Sequence, residues 1–126
     1  MKKSKIYFLL FVIGLLLNAC TYDFILKEEL PPVDPTVDIL FATQIAPIFT
    51  NGCVSCHKAG GQAPDLSAAA AYANINSMNL VSTAAPETSP LYNYPNPAST
   101  IHTWKKYSAS EAQLVLTWIQ QGAKNN

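Results

Sequence analysis

Cys53-Val54-Ser55-Cys56-His57 restricts the fold of this 126-residue chain more than any other stretch. Two cysteines separated by two residues present both sulfurs to one side of a turn, and the next residue aims an imidazole at the same place. This is the pattern of c-type haem attachment, in which each thiol adds to a vinyl group and the histidine takes the iron from the proximal face. The spacing predicts that the motif sits at the start of a helix, with Cys53 and Cys56 as thioethers and His57 as proximal ligand. Two other chemistries share part of the pattern. A thiol redox pair needs a thioredoxin-like alternation of strands and helices, which the sequence does not offer. Tetrahedral zinc needs four ligands; beyond the N-terminal segment the soft or nitrogen donors are Cys53, Cys56, His57 and His102, and consecutive residues serve one tetrahedron poorly.

A covalent cofactor also answers a problem of size. Residues 38–126 form a domain for which burial alone is marginal. A largely apolar macrocycle supplies missing core, so the polypeptide without haem is expected to fold poorly. Eight lysines balance eight acidic residues, and nothing in that distribution would neutralise a run of phosphates, which argues against nucleic acid as a partner. Nine prolines and a charged fraction of 13% argue equally against a coiled coil or a charge-rich disordered chain.

The N-terminus reads as an export signal. Lys2, Lys3 and Lys5 precede an apolar run from Ile6 to Leu17 that is long enough for a signal peptide and too short to span a bilayer. It ends in Leu17-Asn18-Ala19-Cys20, which resembles the bacterial lipobox: a small residue before the cleavage site, then a thiol to take the lipid. The expected organisation is a lipoprotein signal over 1–19, a lipidated and proline-rich tether over 20–37, and the folded domain over 38–126. Lipidation of Cys20 accounts for the odd cysteine, and several acyl chains give firm anchoring. The mature chain keeps five lysines against eight acids, a net charge of −3. Thr21 follows the lipid cysteine in place of the aspartate that retains some lipoproteins at the inner membrane. The outer membrane is therefore favoured, with the domain facing the periplasm or cell surface.

Within the domain, Asp38 is expected to cap an amphipathic helix carrying Ile39, Leu40, Ile45, Ile48 and Phe49, with Pro47 kinking or shortening it. Ser67 is expected to cap a short helix from Ala68 to about Ile75, and Ser89-Pro90 to open a brief turn through Tyr92. Ser108-Ala109-Ser110-Glu111 is a capping box. Ala112, Val115, Leu116 and Ile119 then line one face, with Gly122 as the stop. No segment alternates with period two, so the expected class is all-α.

With these pieces placed, the chain resembles the small class I cytochrome c domains, in particular those of bacterial lipoproteins. Ile45–Phe49 leading into Cys53–His57, Pro86–Tyr92 and Trp118–Ala123 carry the likeness, in that order. The resemblance implies helices packed around one covalent haem c, with first and last helices crossing near one haem edge. Ile45, Phe49, Leu116, Trp118 and Ile119 are then the expected core, and Pro64 the carbonyl that orients the proximal imidazole. The sequence departs from the commonest pattern on the other side of the iron. Met1 leaves with the signal, and Met78 lies only 21 residues after His57, too early for the usual distal methionine. His102, in the loop before the last helix, stands where a distal ligand is wanted, so bis-histidine ligation is expected, with Met78 as the alternative or an open site as a third. Lys105 and Lys106 are candidate partners for haem propionates or a docking protein, or else a solvated loop edge.

The function implied is electron transfer rather than enzymatic catalysis, alone or within a larger oxidoreductase. The expected partners are redox proteins of a membrane chain and the membrane itself, with no small-molecule substrate. A haem enzyme or gas-binding sensor with an open distal site is the alternative, but the chain has no arginine and no histidine to spare for acid–base work. A haem-free interaction or metal-binding lipoprotein is the third reading.

Overall fold

The computed structural model describes residues 33–126; the expected signal, Cys20 and most of the tether lie outside the described residues. Regular structure among the described residues is helical, with no strand, in agreement with an all-α class. A π-helical turn (Phe41–Ile45) runs directly into α1 (Ala46–Gly52). α2 (Ala71–Ser77), a 3₁₀ turn (Pro86–Thr88), α3 (Pro90–Asn93) and α4 (Ala109–Gln120) follow. No helix among the described residues is long and apolar enough to cross a membrane.

Pro47 explains the wide turn ahead of α1. A proline has no N–H to donate, and its ring crowds the carbonyl one turn back. The Ala46 N–H bonds to the Phe41 carbonyl, one residue further back than in an α-helix, and Pro47 enters in the first turn of α1. Asp38 does not cap this element as expected. Its carboxylate instead forms an exposed ion pair with Lys124 at 2.9 Å. The free N–H groups of Phe41 and Ala42 are met by the Asn126 side chain at 2.9 Å and its carbonyl at 3.0 Å. Helix ends leave such donors open, and here a segment distant in sequence closes them.

The last helix follows its sequence signals closely. Ser108 Oγ accepts from the Glu111 N–H while the Glu111 carboxylate accepts from the Ser108 N–H, completing the capping box. At the other end Gly122 takes φ +98°. Its N–H bonds to the Ile119 carbonyl and that of Ala123 to Trp118, a Schellman closure. α2 ends in the same way with Asn79 at φ +52°. Its start differs from expectation. The Asp65 carboxylate accepts from the Ser67 N–H, Ala68–Ala70 form a turn, and the helix proper begins at Ala71 with no side-chain cap. Ser89 holds the N-cap position with Pro90 opening the helix, as expected, but its fully buried hydroxyl makes no capping bond: it accepts from the Ser82 N–H at 2.9 Å and pins the loop before α3.

The core joins both ends of the domain. Phe41 meets Tyr72 edge-on at 5.2 Å and Trp118 at 5.4 Å. The Tyr72 hydroxyl donates to the Ala123 carbonyl and the Trp118 indole to that of Lys124. Gln121 reaches further, donating to the Pro35 and Val37 carbonyls and accepting from the Ile39 N–H, so contacts extend into the segment expected to be tether. Ile45, Phe49, Trp118 and Ile119 are buried as expected. Leu116 is only half-buried, because Ala112, Val115 and Ile119 already fill the stripe and Leu116 falls on its flank.

Two substitutions separate core from cap. Trp118→Ala is expected to cost about 3–5 kcal/mol, since it opens a cavity beside Phe41 and releases the tail. Ser108→Ala should cost about 1 kcal/mol. Denaturant unfolding of both variants checks the ordering, and similar losses in the two would contradict it.

Candidate functional site

The cysteine motif follows α1 rather than opening a helix. Cys53 caps the C-terminal end of α1, its N–H bonding to the Phe49 carbonyl at 2.8 Å. The Cys56 and His57 N–H groups then both bond to the Cys53 carbonyl, at 3.1 and 2.9 Å. The turn is closed by the Leu66 N–H donating to the His57 carbonyl at 3.0 Å. The compact turn, not a helix start, is what gathers Cys53, Cys56 and His57. Neither cysteine is in a disulfide; Cys53 is half-buried and Cys56 exposed. Burial pushes the Cys53 thiol up; Lys105 pulls the other way and Glu111 adds to the rise.

His102 lies on a loop between α3 and α4 whose ends are drawn together by the Tyr107 N–H donating to the Pro95 carbonyl at 2.8 Å. This loop brings the His102 ring to the His57 ring, with centroids 6.1 Å apart and planes 26° from parallel. Face contact would require roughly 3.5–4 Å between atoms, so the rings do not simply stack. Both imidazoles line the same cleft, where they could hold a metal-centred group. The Nδ1 atoms of both rings are buried and have no hydrogen-bond partner. The expected bond from His57 to the Pro64 carbonyl is therefore not made, although Pro64 lines the same cleft.

That cleft has a volume of about 290 Å³ and apolar walls: Leu66, Leu80, Leu91, Pro90, Pro95, Ala63 and the Tyr107 ring, with Cys53, His57 and His102 among them. A smaller hollow of about 80 Å³ shares Cys53, His57, Gln62 and His102 with it and adds Cys56 and Trp104. Together they offer two thiols, two imidazoles with an open nitrogen valence and greasy walls. These donors suit a flat apolar group held through sulfur at its edge and through nitrogen at a central metal. Met78, the other sulfur considered as a ligand, sits at the C-terminal end of α2 and also lines the larger cleft, although it is 43% exposed. A zinc cage is not assembled: among the described residues no three His, Cys, Asp or Glu side chains gather as metal ligands. A larger hollow of about 420 Å³ lies between Phe41, Tyr72 and a run of alanines, without an imidazole, thiol or carboxylate on its walls.

Sequence reasoning missed Tyr107. Its ring walls the cleft, it is 5% exposed, and its hydroxyl donates to the Leu91 carbonyl at 3.0 Å. The signal was present in its position just before the capping box, where an apolar residue packs back onto the helix. Lys105 and Lys106 also differ from expectation in being distinguishable. Lys105 is exposed and lies across Gly52 at the end of α1, where its Cε would be 2.5 Å from any added Cβ. Lys106 is half-buried and turned into its own loop.

Comparison of the chain with protein-family models, curated proteins and solved structures finds no match.

Burial also pushes the Tyr107 phenol well above the usual tyrosine value. A pKa raised in the folded state means its contribution is complete below about pH 10 and is lost as pH rises beyond that. Tyr107→Phe is expected to lower stability at neutral pH through the lost bond to Leu91 and to flatten the alkaline decline. Unfolding midpoints of both proteins from neutrality to above pH 10 test this, and parallel declines would contradict it.

Proposed function

We propose that the chain is a monohaem c-type cytochrome of the class I kind, a membrane-tethered electron carrier. Cys53 and Cys56 would hold one haem through thioethers, and His57 and His102 would ligate its iron. The observation that carries this reading is the pair of imidazoles, 6.1 Å apart on an apolar cleft and beside two cysteines that form no disulfide. Haem bound there supplies a one-electron iron couple at a low potential, because imidazole replaces the methionine that would raise it.

The protein's own residues would do the rest. Leu66, Leu80, Leu91 and Tyr107 keep water from the ring, and Tyr107 keeps its proton on the Leu91 carbonyl. His57 is set by the turn that its own backbone closes with Cys53 and Leu66. With two nitrogen ligands no position is left for a substrate, so the function is transfer between partner proteins rather than turnover. Met78 on the same wall supports a second ligation, His57 with Met78, which would raise the potential. The lipobox-like Leu17–Cys20 supports anchoring through Cys20 to a bacterial membrane, with redox proteins of that membrane as partners.

Haemochrome spectroscopy and mass analysis of the peptide spanning Cys53–His57, from the chain produced in a host with haem-attachment machinery, test the proposal. One haem per chain is expected, bound through two thioethers and absent from a Cys53→Ser, Cys56→Ser variant. A native protein with two free thiols and no haem would overturn it and favour a haem-free lipoprotein.

A further inference from the structure

The loop that carries His102 has no helix or strand to stiffen it, yet it places the His102 ring 6.1 Å from that of His57. The ring does not fix itself, since its buried Nδ1 has no acceptor. Its neighbours do not anchor it either: Ile101 is 67% and Trp104 85% exposed. The restraint comes from within the loop. The Lys106 ammonium donates to the Pro97 carbonyl at 3.2 Å and to the Ser99 carbonyl in a shorter bond. Ser99 continues the chain of contacts, its N–H bonding to the Asn96 carbonyl and its hydroxyl accepting from the Ile101 N–H at 3.2 Å.

Lys106 thus ties the outgoing limb of the loop to its incoming limb, with Thr100 to Lys105 forming the arch between. His102 stands inside that arch. Charge-assisted bonds to carbonyls are stronger than neutral ones, and a half-buried ammonium with two such acceptors resists release. Lys105 adds a looser restraint by lying over Gly52, which ties the same arch to the end of the helix bearing Cys53.

We infer that Lys106 is the positioning residue for His102, holding the distal loop in the conformation that keeps the second imidazole over the haem iron. This rests on the reading of His102 as distal ligand. Lys106 does not touch the iron, and its ammonium is committed within the loop rather than offered to a partner.

The test uses the full lipidated holoprotein in detergent and follows carbon monoxide binding to the ferrous state, which requires His102 to leave. Lys106→Met should retain covalent haem and bind carbon monoxide about tenfold to a hundredfold faster, the usual scale for losing an outer-shell support. Lys106→Arg, which can reach both carbonyls, should restore slow binding. A Lys106→Met rate equal to wild type, alongside a His102→Ala variant that binds freely, would overturn the inference while leaving His102 as ligand. A His102→Ala variant unchanged from wild type would remove the ligand reading and the inference with it. The unsubstituted protein gives an independent check should Lys106→Met not accumulate. Opening the distal position with carbon monoxide should raise acetylation of Lys106 relative to Lys105, because coupling between the two events is reciprocal. An unchanged ratio would contradict the inference.

Discussion

His57 and His102 stand on either side of an apolar cleft, each with a buried nitrogen that no protein group satisfies. Leaving a buried polar atom unpaired costs about 1–3 kcal/mol, and two such atoms within one small domain weigh heavily against its marginal stability. The cleft that both rings line is otherwise apolar, with Leu66, Leu80 and Leu91 among its walls. A group with hydrocarbon at its rim and a metal at its centre would fill that cleft and engage the imidazoles that line it. The proposed haem is such a group.

The helices serve this arrangement from a distance. Phe41, Tyr72 and Trp118 form an aromatic junction away from the cleft, and the tail beyond α4 binds it to the entry of the first helical turn. The distal side is built differently, from a loop whose restraints are an ammonium, a serine and a backbone bond between Pro95 and Tyr107. His57 is therefore set by a backbone-bonded turn at the end of a packed helix, and His102 by a few polar contacts of its loop. The polar side is the one expected to yield when a ligand exchanges.

What the sequence made legible follows the range of the physics. The ends of α4 are local: a serine, a glutamate three residues on and a glycine after the last turn need nothing distant to act. The gathering of Cys53, Cys56 and His57 is local too and so is legible, whereas the approach of His102 to His57 joins residues 45 positions apart and is expected in the sequence only through the family resemblance. The caps expected at Asp38 and Ser67 are not made because another partner intervenes, Lys124 for the Asp38 carboxylate and the Asp65 carboxylate for the Ser67 N–H, while Ser89 takes its expected N-cap position with its hydroxyl turned to Ser82. Capping of the first turn by Asn126 joins residues more than eighty positions apart, and no short pattern encodes it. The burial of Tyr107 and the inward turn of Lys106 likewise depend on how the loop closes, which composition does not reveal.

The central claim is that two imidazoles take the iron from opposite sides, and near-infrared magnetic circular dichroism of the ferric protein tests it most directly. The account predicts the charge-transfer band of bis-imidazole haem, lost when His102 is replaced by alanine. A methionine–histidine band that survives this replacement would contradict it, moving the distal ligand to Met78 and making His102 an ordinary residue of the loop.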